Sequence, residues 1–188
     1  ALGVGGLAVA LALQDSLSNL FAGVHLLMER PVRVGDYIKI ASGEEGFVSD
    51  IGWRTTRIRQ LSNNIVIVPN NKLAQSTITN YTMPESSMAL LIPVGVSYSS
   101  DPDLVEKVLL DEAEKPVGEV AGLLPDRAPA AKFMPGFGLS SLDFTIICQV
   151  AEFTAQVGVQ HELRKRIFKR FQAEGIEFAY PTHTVYLK

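Results

Sequence analysis

Two leucines near the start of the chain have a spacing that points to a physical role. Leu7 and Leu11 lie four residues apart in the uncharged stretch 1–13, which reads ALGVGGLAVALAL. Residues four apart stack on one face of a helix, so copies of such a helix around an axis would form two leucine rings. A narrow leucine ring can close a pore by excluding water. Ordinary core packing also explains this spacing, and without further evidence it is the preferred interpretation of these two leucines.

Small residues accompany the leucines at three- and four-residue intervals, a pattern that lets helices approach closely. They are Gly3, Gly6 and Ala10 on one stripe, and Gly5, Ala8 and Ala12 on the other. A helix over 1–13 would be about 20 Å long, short of a hydrocarbon core of about 30 Å. We therefore expect the spanning helix, and further spans, to begin upstream. No basic region or cleavage site favours a signal peptide, and a buried helix of a soluble domain is the other alternative.

Polar side chains then interrupt the apolar pattern. They are Gln14, Asp15, Ser16, Ser18 and Asn19. Apolar residues return at helical intervals over 17–28, which is typical of an amphipathic helix at an interface or under a bundle. Because Asp15 or Ser16 can act as an N-cap, we predict a break between two helices here. Arg30 and Arg33 place this end on the cytoplasmic side, and Pro31 is predicted to end the helix.

The following fifty residues carry short β-branched and aromatic runs separated by turn residues. Four strands are predicted at 37–40, 45–50, 54–59 and 65–68, and a fifth after Lys72. Five short strands in so few residues predict a small barrel.

Beyond Met83-Pro84 the elements lengthen. We predict strands at 88–98, 130–134, 139–150 and 176–179, and helices at 101–115 and 154–173. Asp101 is the expected cap of the first helix, whose Leu104, Val108 and Leu109 should face inward. The order βαββαβ predicts a ferredoxin-like α+β domain. After Pro181 the stretch 182–188 is extended, with Val185 and Leu187 alternating.

Composition and motifs argue against several functions. The net charge of -3 gives no global attraction for nucleic acid or anionic lipid. The chain has no G-x-S-x-G, H-E-x-x-H or P-loop motif, and its three histidines are scattered, so an enzyme is disfavoured and no cofactor or metal is expected. The single cysteine, Cys148, shares a strand face with Leu142, Phe144 and Ile146 and is predicted to be a buried structural thiol.

Three arginines on the predicted barrel raise RNA binding as an alternative. They are Arg54, Arg57 and Arg59. Alternation places Arg57 and Arg59 on one strand face, an ordinary solvated or headgroup-facing pattern, and no ladder of base-stacking aromatics accompanies them. RNA binding is therefore the weaker interpretation.

Four segments in this order resemble the small-conductance mechanosensitive channel family, from Ala1 to Lys188. GLAVALALQDSLSNLFAGV at 6–24 is similar to that family's pore helix. RPVRVGDYI at 30–38, with IGWRTT and IVIVPNN within 46–71, is similar to its β domain, and EGIEFAYPTHTV at 174–185 to its closing segment.

The resemblance implies an ion channel that opens under membrane tension and releases ions and small solutes on osmotic downshock. It implies a homo-oligomer, seven subunits in a ring, in the cell inner membrane with several spans and cytoplasmic C-terminal domains. Its partners would be its own copies, the lipid bilayer and permeating ions, with no cofactor and no nucleic acid. The expected parts are a pore helix at 1–29, an Sm-like β domain at 30–82, a ferredoxin-like domain at 83–180 and an oligomeric barrel strand at 181–188. The alternative is a soluble Sm-like RNA-binding or scaffold module.

The resemblance also assigns residues. Leu7 and Leu11 fall on the pore-constricting leucines. The small residues that let helices slide would be Gly3, Gly6, Ala8, Ala10 and Ala12. The bend would comprise Gln14, Asp15, Asn19 and Gly23, with Gly23 as a second hinge glycine.

Asp15 departs from the family, in which this hinge position is commonly glycine. As an N-cap it would start a new helix, which we favour because the amphipathic pattern restarts at Leu17. As a pore-mouth charge it would add one carboxylate per subunit and favour cations.

Overall fold

The computed structural model describes residues 2–125 and 127–183. The chain divides into two compact units, Ala1–Glu85 and Ser86–Lys188. The predicted terminal strand at 182–188, with Val185 and Leu187, lies from residue 184 onward outside the described residues.

The first element is a single long helix, α1, spanning Leu2–Glu29. The predicted break at Asp15 and Ser16 is wrong, and so is the N-cap role of either residue. Polar residues cost less than about 1 kcal/mol each inside a helix, so the backbone continues through them. The Asn19 Nδ2 group donates to the Asp15 carbonyl at 2.9 Å, one turn away within the same helix. The helix ends before Pro31, as predicted.

The remainder of the first unit is an antiparallel sheet. Its strands are β1 (Tyr37–Ile40), β2 (Glu45–Ile51), β3 (Thr55–Arg59), β4 (Ile65–Pro69) and β5 (Ile78–Asn80). They follow the order β4-β3-β2-β1-β5. The four predicted strands agree with β1 to β4 to within a residue, and the fifth follows Lys72 as expected. A short helix, α2 (Asn70–Gln75), was not predicted.

Apolar side chains from alternating strand positions form the core of this unit. Ile38, Val48 and Ile58 are at most 1% exposed, and Leu26 of α1 and Leu73 of α2 complete the cluster. The carboxyl end of α1 is therefore part of the same core as the sheet.

The second unit is built on a central strand. Its elements are β6 (Met88–Val96), α3 (Pro102–Glu114), β7 (Leu123–Leu124), β8 (Ala130–Phe137), β9 (Leu142–Val150) and α4 (Ala155–Glu174). Strand β9 pairs antiparallel with β6 on one side and with β7 and β8 on the other. The two-residue β7 was not predicted.

Most local signals in this unit are confirmed. Asp101 caps α3 by accepting from the Asp103 N–H at 3.0 Å, and Gly175 ends α4 in the left-handed conformation. Cys148 is buried as predicted, and this burial raises the pKa of its thiol to about 11. An inward Leu104 is wrong: it is 37% exposed, because the buried stripe of α3 begins at Val105.

The strand predicted at 176–179 is wrong as a full strand. The segment makes one isolated bridge, from Phe178 to Val96. Its pairing is limited to this bridge and two backbone bonds, in which the Ser97 N–H donates to the Glu177 carbonyl at 2.9 Å and the Ala179 N–H to the Gly95 carbonyl at 3.3 Å, before Pro181, which has no N–H to donate. The Phe178 ring instead packs against Phe168 and Phe171, with centroids 5.6 and 5.2 Å apart.

Candidate functional site in the N-terminal helix

The amino-terminal half of α1 is exposed on every side. All residues over 5–18 are exposed, including Leu7 at 64% and Leu11 at 62%, and no charge precedes Asp15. Among the described residues, one helix, at Gly5–Glu29, is long and apolar enough to cross a membrane, and only 11% of its most apolar stretch is buried. A buried helix of a soluble domain would pass the same test of length and composition, but it would be mostly buried. An apolar helix exposed all round is typical of a helix that lies in a membrane or packs against another chain.

Helical geometry sorts this half into distinct faces. At about 100° per residue, Leu7 and Leu11 lie within about 40° of each other. Small residues flank them on both sides, with Ala8 and Ala12 on one flank and Gly3, Gly6 and Ala10 on the other, while Gly5 lies about 140° from the leucines, near Val9. Val9 lies on the opposite face of the helix. A Cβ added at Gly3, Gly5 or Gly6 would meet nothing within 4 Å. Both flanks are therefore open to close approach by another helix.

The carboxyl half of α1 packs against the rest of the first unit through a different face of the helix. Asn19, Gly23 and Leu26 are the buried residues of the helix, and they lie about 80–140° from the line of leucines. The Asn19 Oδ1 accepts from the backbone N–H of Asn71 at 3.0 Å. This bond satisfies one of the free amides at the start of α2.

At Gly23 the backbone of α1 lies close to α2 and to the segment between β2 and β3. A Cβ added there would lie 2.6 Å from Asn70 Nδ2 and 3.0 Å from the Trp53 carbonyl oxygen. Asn70 is fully buried; its Nδ2 donates to the Gly52 carbonyl at 2.8 Å, and its Oδ1 accepts from Thr56 Oγ1 at 2.9 Å. Because Gly23 has no side chain, the helix can pack directly against the corner formed by Gly52, Trp53, Thr56 and Asn70.

Asn70 and Asn71 were not among the residues predicted for the site. The sequence feature that could have indicated them is the IVIVPNN segment, in which two asparagines follow a proline at the end of a strand. Their partners, Gly52 and Asn19, are 18 and 52 residues away in sequence. Sequence spacing alone does not reveal such pairs.

A third face of the carboxyl half is apolar and exposed. It comprises Leu17, Leu20, Phe21, Val24, Leu27 and Met28. This is the amphipathic pattern expected from the sequence, and the chain's own sheet does not cover it. The outward positions of Arg57 and Arg59 on β3 also follow the predicted alternation.

Comparison with known proteins agrees with this arrangement. The beta-domain of the mechanosensitive ion channel matches residues 15–83, and the C-terminal domain of the mechanosensitive ion channel MscS matches residues 90–178. The first match begins inside α1, so it includes the half of the helix that docks on the sheet.

Named relatives span both conductance classes. The large-conductance mechanosensitive channel MscMJLR and the small-conductance mechanosensitive channel MscMJ of Methanocaldococcus jannaschii are each 34% identical over 194 residues. Each alignment covers 100% of this chain and 52% of the relative, so the chain spans about half the length of these curated relatives. The crystal structure of Helicobacter pylori MscS in its closed state is 30% identical, with a TM-score of 0.85, covering 100% of this chain and 71% of that one.

The fold and the exposed apolar helix are those of a family of mechanosensitive channels. The chain belongs to the MscS family of mechanosensitive ion channels, whose members are not enzymes.

Proposed function

We propose that this chain supplies the pore-lining helix and the cytoplasmic body of an ion channel opened by membrane tension. On osmotic downshock the channel would release ions and small solutes. The observation that carries the proposal is the amino-terminal half of α1, where one leucine face lies between two open flanks of small residues on a helix exposed all round.

Leu7 and Leu11 form the gate in this proposal. Two rings of leucine around an axis exclude water from a narrow pore, and wetting of the rings opens it. The small residues Gly3, Gly6, Ala8, Ala10 and Ala12 allow neighbouring helices to slide as the ring widens. No cofactor takes part in this mechanism.

A closed ring of identical copies, seven as the family resemblance implies, completes the pore. Two features support assembly. The flanks of α1 are open, and β4 is an outer strand of the described sheet on which Ile65 and Ile67 are 57% and 59% exposed. An exposed apolar edge strand offers unpaired backbone groups with which another chain can pair. Mass measurement of the purified protein in detergent should give a ring, and a monomer or dimer would contradict this assembly.

The domain assignments extend the proposal. The sheet order of the first unit supports an Sm-like barrel. The arrangement of β6, β9 and β8, with Phe178 bridged to β6, supports a ferredoxin-like second domain. Segment 181–188 would close a small barrel between copies. Arg30 and Arg33 after α1 favour a cytoplasmic body below a multi-pass inner-membrane segment.

We revise the role of the predicted bend residues Gln14, Asp15, Asn19 and Gly23. Because α1 is continuous through Gln14 and Asp15, any bend there forms during gating rather than at rest. Asn19 and Gly23 hold the carboxyl half on the sheet unit, so movement of the body would be transmitted to the helix at these two residues.

Substitution of the leucines tests the proposed gate. In stretched patches of membrane containing the purified protein, Leu7→Ser or Leu11→Ser should lower the opening tension. Each change removes about 2 kcal/mol of apolar side-chain transfer energy per copy. Val9→Ser, on the opposite face, is the matched control and should leave the threshold near that of the unaltered protein. An unchanged threshold for both leucine variants would assign Leu7 and Leu11 to packing alone.

A further inference from the structure

The basic side chains of α4 differ in their partners. Arg170 forms ion pairs with Glu174 at 2.8 Å and with Asp111 of α3 at 4.0 Å, so this side of α4 faces α3. Arg164 and Lys169 form no ion pair with any residue that the structure describes. The helix carries five basic and two acidic residues, a net charge of +3, in a chain whose net charge is -3. Part of this positive charge is therefore available to a partner outside the unit.

The unpaired charge of Arg164 lies on the side of α4 that is turned away from α3. At about 100° per residue, Arg170 lies about 40° to one side of the buried stripe of the helix, and Arg164 lies about 80° to the other. Exposed apolar and basic side chains line a shallow groove on this second side, which we call the basic face. It comprises Val157, His161, Arg164, Lys165 and Phe168. Lys169 borders this face, and the two acidic residues of α4 lie outside it.

Helix α3 has the opposite charge. It carries five acidic residues and one basic residue, Lys107, a net charge of -4. Asp111, on the side towards α4, lies about 130° from the buried stripe of α3, whereas Asp103, Glu106 and Glu114 lie about 90–170° to the other side. These three carboxylates, which we call the acidic face, form no ion pair with any described residue. The second unit therefore carries a basic face and an acidic face on its two opposite sides.

We propose that the basic face of α4 in one copy of the chain docks against the acidic face of α3 in the next copy. The inference rests on the ring of copies in the proposed function. Two copies that met through the same face would bring like charges together, which is unfavourable. Contact between two different faces can repeat from copy to copy until the ring closes. Val157 and Phe168 supply apolar contact area within this charged interface.

Cross-linking of mixed copies tests which faces meet. One chain carries Val157→Cys on the basic face, and a second, co-expressed chain carries Glu114→Cys on the acidic face. The native Cys148 is buried and stays in both. After treatment of the protein in detergent with a flexible bis-maleimide, a denaturing gel should show covalent pairs of the two chains, and either chain expressed alone should give few pairs.

Leu91→Cys in place of Glu114→Cys is the control for proximity. Leu91 is exposed on β6, which is separated by β9 from β8, a strand that α3 contacts. This control should give few mixed pairs. Abundant pairs from Val157→Cys alone, or a yield of mixed pairs no higher than that of the control, overturn the proposal.

Charge reversal tests the electrostatic basis of the contact. Arg164→Glu in the Val157→Cys chain should lower the yield of mixed pairs about threefold or more, and Asp103→Lys in the Glu114→Cys chain should restore it. Lys132→Glu, at an exposed position of β8, makes the same change of charge away from the basic face and should leave the yield unchanged. A yield that ignores Arg164→Glu, or that falls further with Asp103→Lys, overturns the proposal.

The gel reads the contact without any current, so the interface and the proposed function can fail separately. Mixed pairs with this charge dependence, in a protein that stays closed under tension, support the interface and contradict the channel. Tension-activated current in a protein that forms no mixed pairs overturns the interface and leaves the channel in place.

Discussion

Helix α1 carries glycines in both of its halves, and their surroundings differ. A Cβ added at Gly3, Gly5 or Gly6 would meet nothing within 4 Å, whereas at Gly23 it would lie 2.6 Å from Asn70 Nδ2. In the carboxyl half, Gly23 lets the helix pack closely against other residues of its own unit. In the amino-terminal half, Gly3, Gly5 and Gly6 contact nothing in the chain, so their surface is free to contact other molecules.

This difference separates two properties of one helix. Stability of the first unit depends on the Gly23 contact and on Leu26, which is part of the core. The gate itself, in our proposal, is formed by Leu7 and Leu11, which make no contact with that core. Substitutions in the two halves should therefore have separable effects.

The largest expected effect is on folding, at Gly23. Gly23→Val should lower the free energy of unfolding by about 1–3 kcal/mol, because the added atoms overlap Asn70 and the Trp53 carbonyl. Trp53 is the only tryptophan, so its fluorescence during denaturant titration in detergent reports on this corner. Gly158→Val, on the exposed face of α4 where an added Cβ meets nothing within 4 Å, is the control and should stay within about 0.5 kcal/mol of the unaltered protein. Equal losses at Gly23 and Gly158 would show that close approach at Gly23 is not what seats the helix.

The next largest loss in the free energy of unfolding is expected for a substitution of Asn70. Asn70→Ala leaves the Gly52 carbonyl and the Thr56 hydroxyl without their buried partner, at a cost of about 1–3 kcal/mol. The exposed Asn64, whose side-chain Nδ2 donates to the Ser62 hydroxyl, gives the control Asn64→Ala, with a change below about 0.5 kcal/mol. The same tryptophan signal measures both, and an Asn70→Ala protein as stable as the control would show that this corner does not anchor the helix.

The outcome at Asp15 shows where sequence reasoning reaches its limit. The strands of the first unit were predicted almost residue for residue, because alternation of β-branched residues with turn signals is a local property. The break in α1 was predicted wrongly, because capping and continuing a helix differ by only about 1 kcal/mol. Within the helix, the Asn19 Nδ2 group donates to the Asp15 carbonyl, a bond that favours continuation through the polar residues.

Short elements, and contacts between residues far apart in the sequence, could not be predicted either. Helix α2 spans six residues around a single buried leucine, Leu73, too few for a helical repeat. Strand β7 has two residues and depends on pairing with the end of β9. The leucine face and the small flanks of α1 were predictable, since helical geometry alone fixes them once the helix exists.

The smallest expected effect on stability is at Asp15. Because it does not cap a helix, Asp15→Asn and Asp15→Ala should both change the free energy of unfolding by less than about 1 kcal/mol. Both should reduce cation preference alike, and more strongly at low salt, because both remove a carboxylate near the leucine line. Reversal potentials at two salt concentrations measure this, and cation preference kept by Asn but lost by Ala would restore the capping role.

Modification of introduced cysteines tests most directly whether the leucine face lines a pore. Leu11→Cys and Val9→Cys place a thiol on opposite faces of α1, and the native Cys148 can stay because burial raises its thiol pKa to about 11. A positively charged, thiol-specific reagent should be applied while tension holds the channel open. The account predicts a lasting fall in current for Leu11→Cys and little change for Val9→Cys. Equal block at both positions, or block at Val9→Cys alone, would contradict a pore lined by Leu7 and Leu11.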